Sequence, residues 1–278
     1  MGRGGTAMTA QGWPQIDWSR PWFAPYRDAG VPAYEDVRRG LPVAQVLNAI
    51  LPRPPIVLRA GRLRFVPQQE LPPGMAYEAH IAATACVPTR DNLHDFFNGL
   101  VWLAFPAWKR RLNELQAEQI AAQGIGGRRG AVRDALTLFD ENGALLRAPA
   151  DVIEDLRERR WQRLFVERRG RWQAEARCVV FGHALLEKLV APWKSVTAHV
   201  WVDEAPPAHV LDHAGPSGQR PFAAGHERLA PDRLASKPFL PLPVLGVPGW
   251  WAANEDPHFY DDPQVFRPLP CTHGPDAR

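Results

Sequence analysis

The sequence predicts an α+β fold: a mainly helical core with a β-hairpin and a few short strands, wrapped by long proline-rich N- and C-terminal segments. Helix-period apolar patterns and strand-like alternation fall in separate groups, so no βαβ series develops. Proline is abundant, at 29 of 278 residues, without low-complexity runs, which marks long irregular connections. Hydrophobic residues make up 45% and charged residues 23%, an ordinary composition for a soluble globular chain with room for a sizeable core.

Residues 1–75 are rich in Pro, Gly and Trp and are expected to wrap the core without forming one of their own. They hold one short helix, "LPVAQVLNAIL" (41–51), with Pro42 near its first turn and Pro52 ending it. "IVLRAGRLRFV" (56–66) alternates around Ala60-Gly61 and reads as a hairpin. The core is assigned to residues 76–204. There "MAYEAHIAATACV" gives a helix or irregular segment, "NLHDFFNGLVWLAF" a second helix, and "PAWKRRLNELQAEQIAAQ" a third that begins at Pro106. "DALTLFDENGALLRA" (134–148) reads as the clearest hairpin, with Asp140 and Glu141 as turn formers ahead of Asn142-Gly143. Two or three helices follow, the first capped by Asp151 and the last lying around residues 182–190. "TAHVWVD" (197–203) alternates as a strand. Residues 205–278 form a proline- and tryptophan-rich segment packed on the core, with "PFLPLPVLGVPGWW" extended.

The net charge of +3, from 33 basic and 30 acidic residues, argues against a nucleic-acid protein, which needs a concentrated basic face. The runs "RERRWQR" and "ERRGRW" are interleaved with acids and fit a solvated helix face better than a phosphate track. Three widely spaced cysteines, Cys86, Cys178 and Cys271, suggest neither a disulfide framework nor a zinc ribbon. No stretch reaches the length of a membrane span, and the first residues lack the apolar region of a secretory signal. A cytoplasmic protein is expected.

The most chemical stretch is "TRDNLHDFFNGLVW" (89–102). On a helical wheel its apolar residues form a broad arc, and His94 and Asn98 lie about 40° apart along one edge. At i and i+4 they can address one point. Asp91 is placed as the helix cap. The His94-Asp95 doublet says little in itself, because nine histidines and 30 acids in 278 residues give about one His–acid dipeptide by chance. A semi-buried histidine bonded to a carbonyl or carboxylate is the competing reading. "GHALLEKL" offers His183 and Glu187 at the same spacing, suited to a metal or an acid–base pair, with an ordinary surface pair as its alternative. It lacks the second histidine of HExxH. "GIGGRRG" could cradle an anion through Arg128 and Arg129, but it is not a P-loop and also fits a solvated connector.

Four blocks taken together, "VPTRDNLHDFFNGLVWLAFP", "RDALTLFDENGALL", "FGHALLEKLVAPWKSVTAHVWV" and "PLPVLGVPGWWAANEDPHFYDDPQVFRP", resemble a bacterial family known as domain of unknown function 3025. The resemblance runs from about Tyr77 to Pro268. It implies a cytoplasmic proteobacterial protein built as one domain over that span, and it brings no activity with it.

The residues themselves point to a hydrolase-like enzyme. His94, Asp95 and Asn98 from one helix would meet His183 and Glu187 from another, with Asp134 or His199 entering from strands. Such N/O ligands (His94, His183, Glu187 and Asp134) would suit Zn, Mn or Fe, the metal activating a water and Glu187 or Asp95 acting as base. The alternative is a non-catalytic binding or scaffold protein that uses Trp193, Trp201, Trp250 and Trp251 as a recognition surface. The partner is then a small-molecule substrate in the first case and a protein in the second. The two histidines must lie within about 10 Å of each other for any shared chemistry, given ligand distances near 2 Å.

Overall fold

The computed structural model describes residues 12–124, 130–203, 222 and 224–269. The architecture is α+β. A 3-10 turn over Pro21–Tyr26 runs into α1 (Arg27–Arg38), and α2 (Val43–Ala49) follows. β1 (Val57–Leu58) and β2 (Gly61–Arg62) form a minimal antiparallel pair. β3 (Arg64–Pro67) runs parallel to β4 (Cys86–Thr89), with α3 (Tyr77–Thr84) between them. Three helices come next: α4 (Leu93–Ala104), α5 (Pro106–Gln123) and α6 (Ala131–Asn142). The chain continues through β5 (Gly143–Arg147), α7 (Ala150–Arg157), a π-helical turn (Arg163–Glu167), α8 (Arg169–Glu175) and β6 (Arg177–Val180). It then passes through α9 (His183–Lys188), β7 (Thr197–Val202), α10 (Pro231–Ala235) and β8 (Leu240–Pro243). The sheet order is β6-β5-β7-β8, with β5 parallel to β7 and the two outer pairings antiparallel.

Helix α4 is the axis of the molecule. Every residue from Asp95 to Ala104 is buried, so its apolar arc meets neighbours on all sides. Asn92 caps it, its Oδ1 accepting from the Asp95 N–H at 2.8 Å. Asp91 was expected to cap α4; it instead accepts from the Val43 N–H at 2.7 Å and so caps α2 from across the fold. Gly99 lets α2 and α4 close together, because a Cβ there would stand 2.2 Å from Leu47 Cδ1.

The expected hairpin at residues 134–148 does not form. Ala135, Leu136 and Phe139 recur at helical spacing and bury one face of α6, which continues to Asn142 before β5 begins at Gly143. Gly143 has φ −77°, so Asn-Gly here is a helix end and not a tight reversal. It is glycine for space: a Cβ would meet the Phe139 carbonyl at 2.3 Å. Gly182 opposes it, and a Cβ there would lie 2.4 Å from the Glu141 carbonyl. The close approach at Gly182 seats the start of α9, and hence His183, against the end of α6.

Other local readings also change. Asp151 is not a cap; Pro149 holds that position, and Asp151 sits in the first turn of α7, where it accepts from Arg168 at 2.8 Å and Arg171 at 2.6 Å. The basic run is tied inward more than a solvated face would be: Arg160 and Arg168 lie 3.0 and 2.9 Å from Asp155, which is 1% exposed. In the N-terminal region, α1 and the turn before it place Trp22, Phe23, Tyr26 and Tyr34 in the core, and the Tyr26 hydroxyl donates to the Val180 carbonyl at 2.7 Å. Gly30 and Pro32 inside α1 hide that helix from a periodicity argument. The "PFLPLPVLGVPGWW" stretch supplies β8 and then a 3-10 turn over Val244–Gly246. No helix among the described residues is long and apolar enough to cross a membrane.

Candidate functional site

Helices α3, α4, α5, α6 and α9 bring polar side chains to a cleft of about 520 Å³. His94 projects from the first turn of α4, beyond its fully buried stretch, and its side chain keeps 33% of its exposure. Its Nδ1 lies 3.0 Å from Glu187 Oε2, and its Nε2 lies 3.0 Å from Nε2 of His183. The two rings meet edge to face, with centroids 4.5 Å apart. His183 Nδ1 faces Asp140 Oδ2 at 3.8 Å, beyond hydrogen-bond range, and is buried without a hydrogen-bond partner. Lys109, from α5, ties the inner wall together. Its ammonium donates to both Asp140 oxygens, at 2.6 and 2.9 Å, and to Asn98 Oδ1 at 2.9 Å. With its oxygen so held, Asn98 turns its Nδ2 to donate to the Tyr77 hydroxyl oxygen at 3.0 Å.

These contacts set protonation. Burial, reinforced by the Lys109 and His94 charges and only partly opposed by Asp140, pushes His183 down to about 3. It is neutral at ordinary pH. Burial would raise the Asp140 carboxyl, but the Lys109 ammonium and the two histidines outweigh it and hold the group below the usual carboxylate value. Burial, with the nearby Glu78, Asp95 and Asp140 charges, lifts the Tyr77 phenol well above its usual 10, so its O–H keeps its proton. Burial also raises Glu78, whose carboxyl accepts from Asn113 Nδ2 at 2.5 Å.

His94, Asn98, His183 and Glu187 therefore come together. Asp95 does not join them: it accepts from the Arg90 backbone N–H at 2.7 Å and from two guanidinium nitrogens of Arg90, which makes it the brace of the turn before α4. Asp134 stands in the first turn of α6, a helix and not a strand, and it is not among the residues lining the cleft. His199 lies on β7 and is likewise off the cleft lining. Arg128 and Arg129 lie outside the described residues.

The arrangement gives the expected Zn, Mn or Fe site no support. Among the described residues no group of three or more His, Cys, Asp or Glu side chains could hold a metal ion. His94 has already committed one ring nitrogen to Glu187 and the other to His183. Of the tryptophans expected to form a recognition surface, Trp201 is fully buried, Trp250 packs 6.3 Å from Trp22, and Trp251 lies under the Arg20 guanidinium. Trp193 is the exposed tryptophan among the described residues.

Tyr77, Asp140 and Arg133 line the cleft, Lys109 stands behind it on Asn98 and Asp140, and the sequence pattern did not single them out. A helical reading of residues 131–142 would have found two of them, since Arg133, Thr137 and Asp140 then share one face.

Fold and cleft together define an α+β protein with a recessed acid–base cluster built around two facing histidines. Residues 63–270 match the family described as a protein of unknown function (DUF3025). This is well over half of the chain, which therefore belongs to that family. No curated protein and no solved structure matches it.

Proposed function

We propose that the cleft is the active site of an acid–base hydrolase acting on a small polar substrate, with water as the nucleophile. The observation that carries this reading is the Glu187–His94–His183 series, with a carboxylate on one imidazole nitrogen and a neutral imidazole on the other. Glu187 accepts from Nδ1–H of His94 and so fixes the tautomer that leaves a lone pair on Nε2. His183 donates its Nε2–H to that lone pair while the cleft is empty of substrate. A water that takes the place of His183 in this contact gives its proton to His94 Nε2 as its oxygen bonds to the substrate's electrophilic centre. Glu187 stabilises the imidazolium formed, and the same proton then passes to the leaving group. Tyr77 supplies a donor: its oxygen already accepts from Asn98, so its O–H is free to meet an oxygen that gains negative charge. Among the described residues no serine or cysteine lines the cleft.

The test is hydrolysis of a panel of small esters, amides and phosphomonoesters by the wild type, Glu187→Gln and His94→Asn. The reading expects turnover of at least one member and a fall of roughly 10²- to 10⁴-fold in Glu187→Gln. Because the His94–Glu187 pair is partly exposed, that substitution should change stability by no more than about 1 kcal/mol. Failure of the wild type to turn over any member, or unchanged turnover in His94→Asn, overturns it.

A further inference from the structure

Among the described residues, the cations at the cleft have partners, with one exception. Arg90 is engaged by Asp95 and Lys109 by Asp140. Arg133 lines the same cleft, yet its Nε is buried with no hydrogen-bond partner, and no ion pair holds its guanidinium among the described residues. Burying part of a charged donor unsatisfied is unfavourable, and the planar fork of a guanidinium matches two oxygens of one anion. Arg133 also shares a helical face with Thr137 and Asp140, all three lining the cleft. Asp140 stands seven positions after Arg133 on α6, an axial rise of about 10 Å. Asp140 adjoins His183.

We infer that the substrate carries a carboxylate or phosphate group, which Arg133 binds at one end of the cleft while the reacting bond lies at the histidines. The inference rests on the acid–base reading of the cleft and adds the chemical class of its substrate and the residue that selects it. Glu78 and Glu141 also line the cleft and would favour a cationic ligand if they dominated. Burial raises the Glu78 pKa, and its carboxyl already accepts from Asn113 Nδ2. Arg133 has no such counterpart among the described residues.

The experiment follows the Arg133 Nε–Hε signal of the isotopically labelled full chain during separate additions of inorganic phosphate, succinate and 1,4-diaminobutane. Saturable shifts with phosphate or succinate are expected, and the anion that saturates at the lower concentration identifies the headgroup. Arg133→Met should weaken that binding by roughly tenfold or more while retaining a cooperative thermal transition. Should that variant fail to fold, Arg133→Lys keeps the charge but loses the fork and should still bind several-fold more weakly. Absence of any anion-dependent shift, binding of the diamine alone, or equal anion affinity in the folded variants overturns the inference. His94→Asn should bind the anion as the wild type does. Anion binding without hydrolysis would therefore end the hydrolase reading and leave the anion site standing, and hydrolysis without anion binding would do the reverse.

Discussion

Replacing Lys109 by methionine removes the ammonium that holds Asp140 and Asn98 together. The two ionic side chains are 5% and 15% exposed, with nitrogen–oxygen distances of 2.6 and 2.9 Å. At an effective dielectric constant of about 20, opposite charges this close attract by about 6 kcal/mol, much of it offset by the cost of desolvating both. Removing the lysine alone deletes the attraction and leaves the carboxylate buried. Lys109→Met should therefore cost about 3–5 kcal/mol, a large share of the roughly 5–15 kcal/mol that stabilises a typical domain. Removing Asp140 as well removes the stranded charge, so Lys109→Met combined with Asp140→Leu should regain most of the loss. Urea unfolding of the wild type, the two single variants and the double variant measures both quantities at one pH. A cost below about 1 kcal/mol for Lys109→Met would refute the reasoning, as would a double variant no more stable than the sum of the singles.

His183 should make stability depend on pH. Its folded pKa of about 3 lies below the open-chain value of 6.5, so the unfolded chain takes up a proton that the native state refuses. Stability is therefore lost as pH falls from 6.5 towards 3, and the lowered Asp140 pKa adds loss in the same direction below 3.8. His183→Gln should lose less stability than the wild type between pH 7 and pH 4 in urea titrations; an equal or larger loss contradicts this origin. Gly99→Ala should destabilise the protein by about 1–3 kcal/mol through the contact with Leu47, although alanine favours an isolated helix by about 1 kcal/mol. A thermal midpoint at or above that of the wild type would show that α2 can move aside at no cost.

The legible parts of the fold were those that repeat a period over several turns. The 3.6-residue pattern of "NLHDFFNGLVWLAF" marked α4, and Pro106 marked the start of α5. The approach of His94 to His183 could be anticipated because each sits with a polar neighbour four residues on, at the edge of an apolar face. The local signal at Asn142-Gly143 misled because the same dipeptide serves a tight turn and a helix end. What separated the two was the last turn of α6, whose Phe139 carbonyl and ring lie where a Gly143 Cβ would stand. That error hid Asp140, which looked like a turn former and is in fact the buried partner of Lys109. Lys109 itself was illegible, since a lysine in "WKRR" carries no mark of burial until Asn98 and Asp140 are known to face it. Arg133 was hidden for the same reason as Asp140.

The proton between His94 and His183 is the central feature of the cleft. Nitrogen NMR of the histidine-labelled protein between pH 4 and pH 8 measures it. The structure predicts a scalar coupling across the hydrogen bond between the two Nε2 atoms, with His183 neutral throughout that range. Absence of that coupling, with His183 taking up a proton near 6.5, would contradict it.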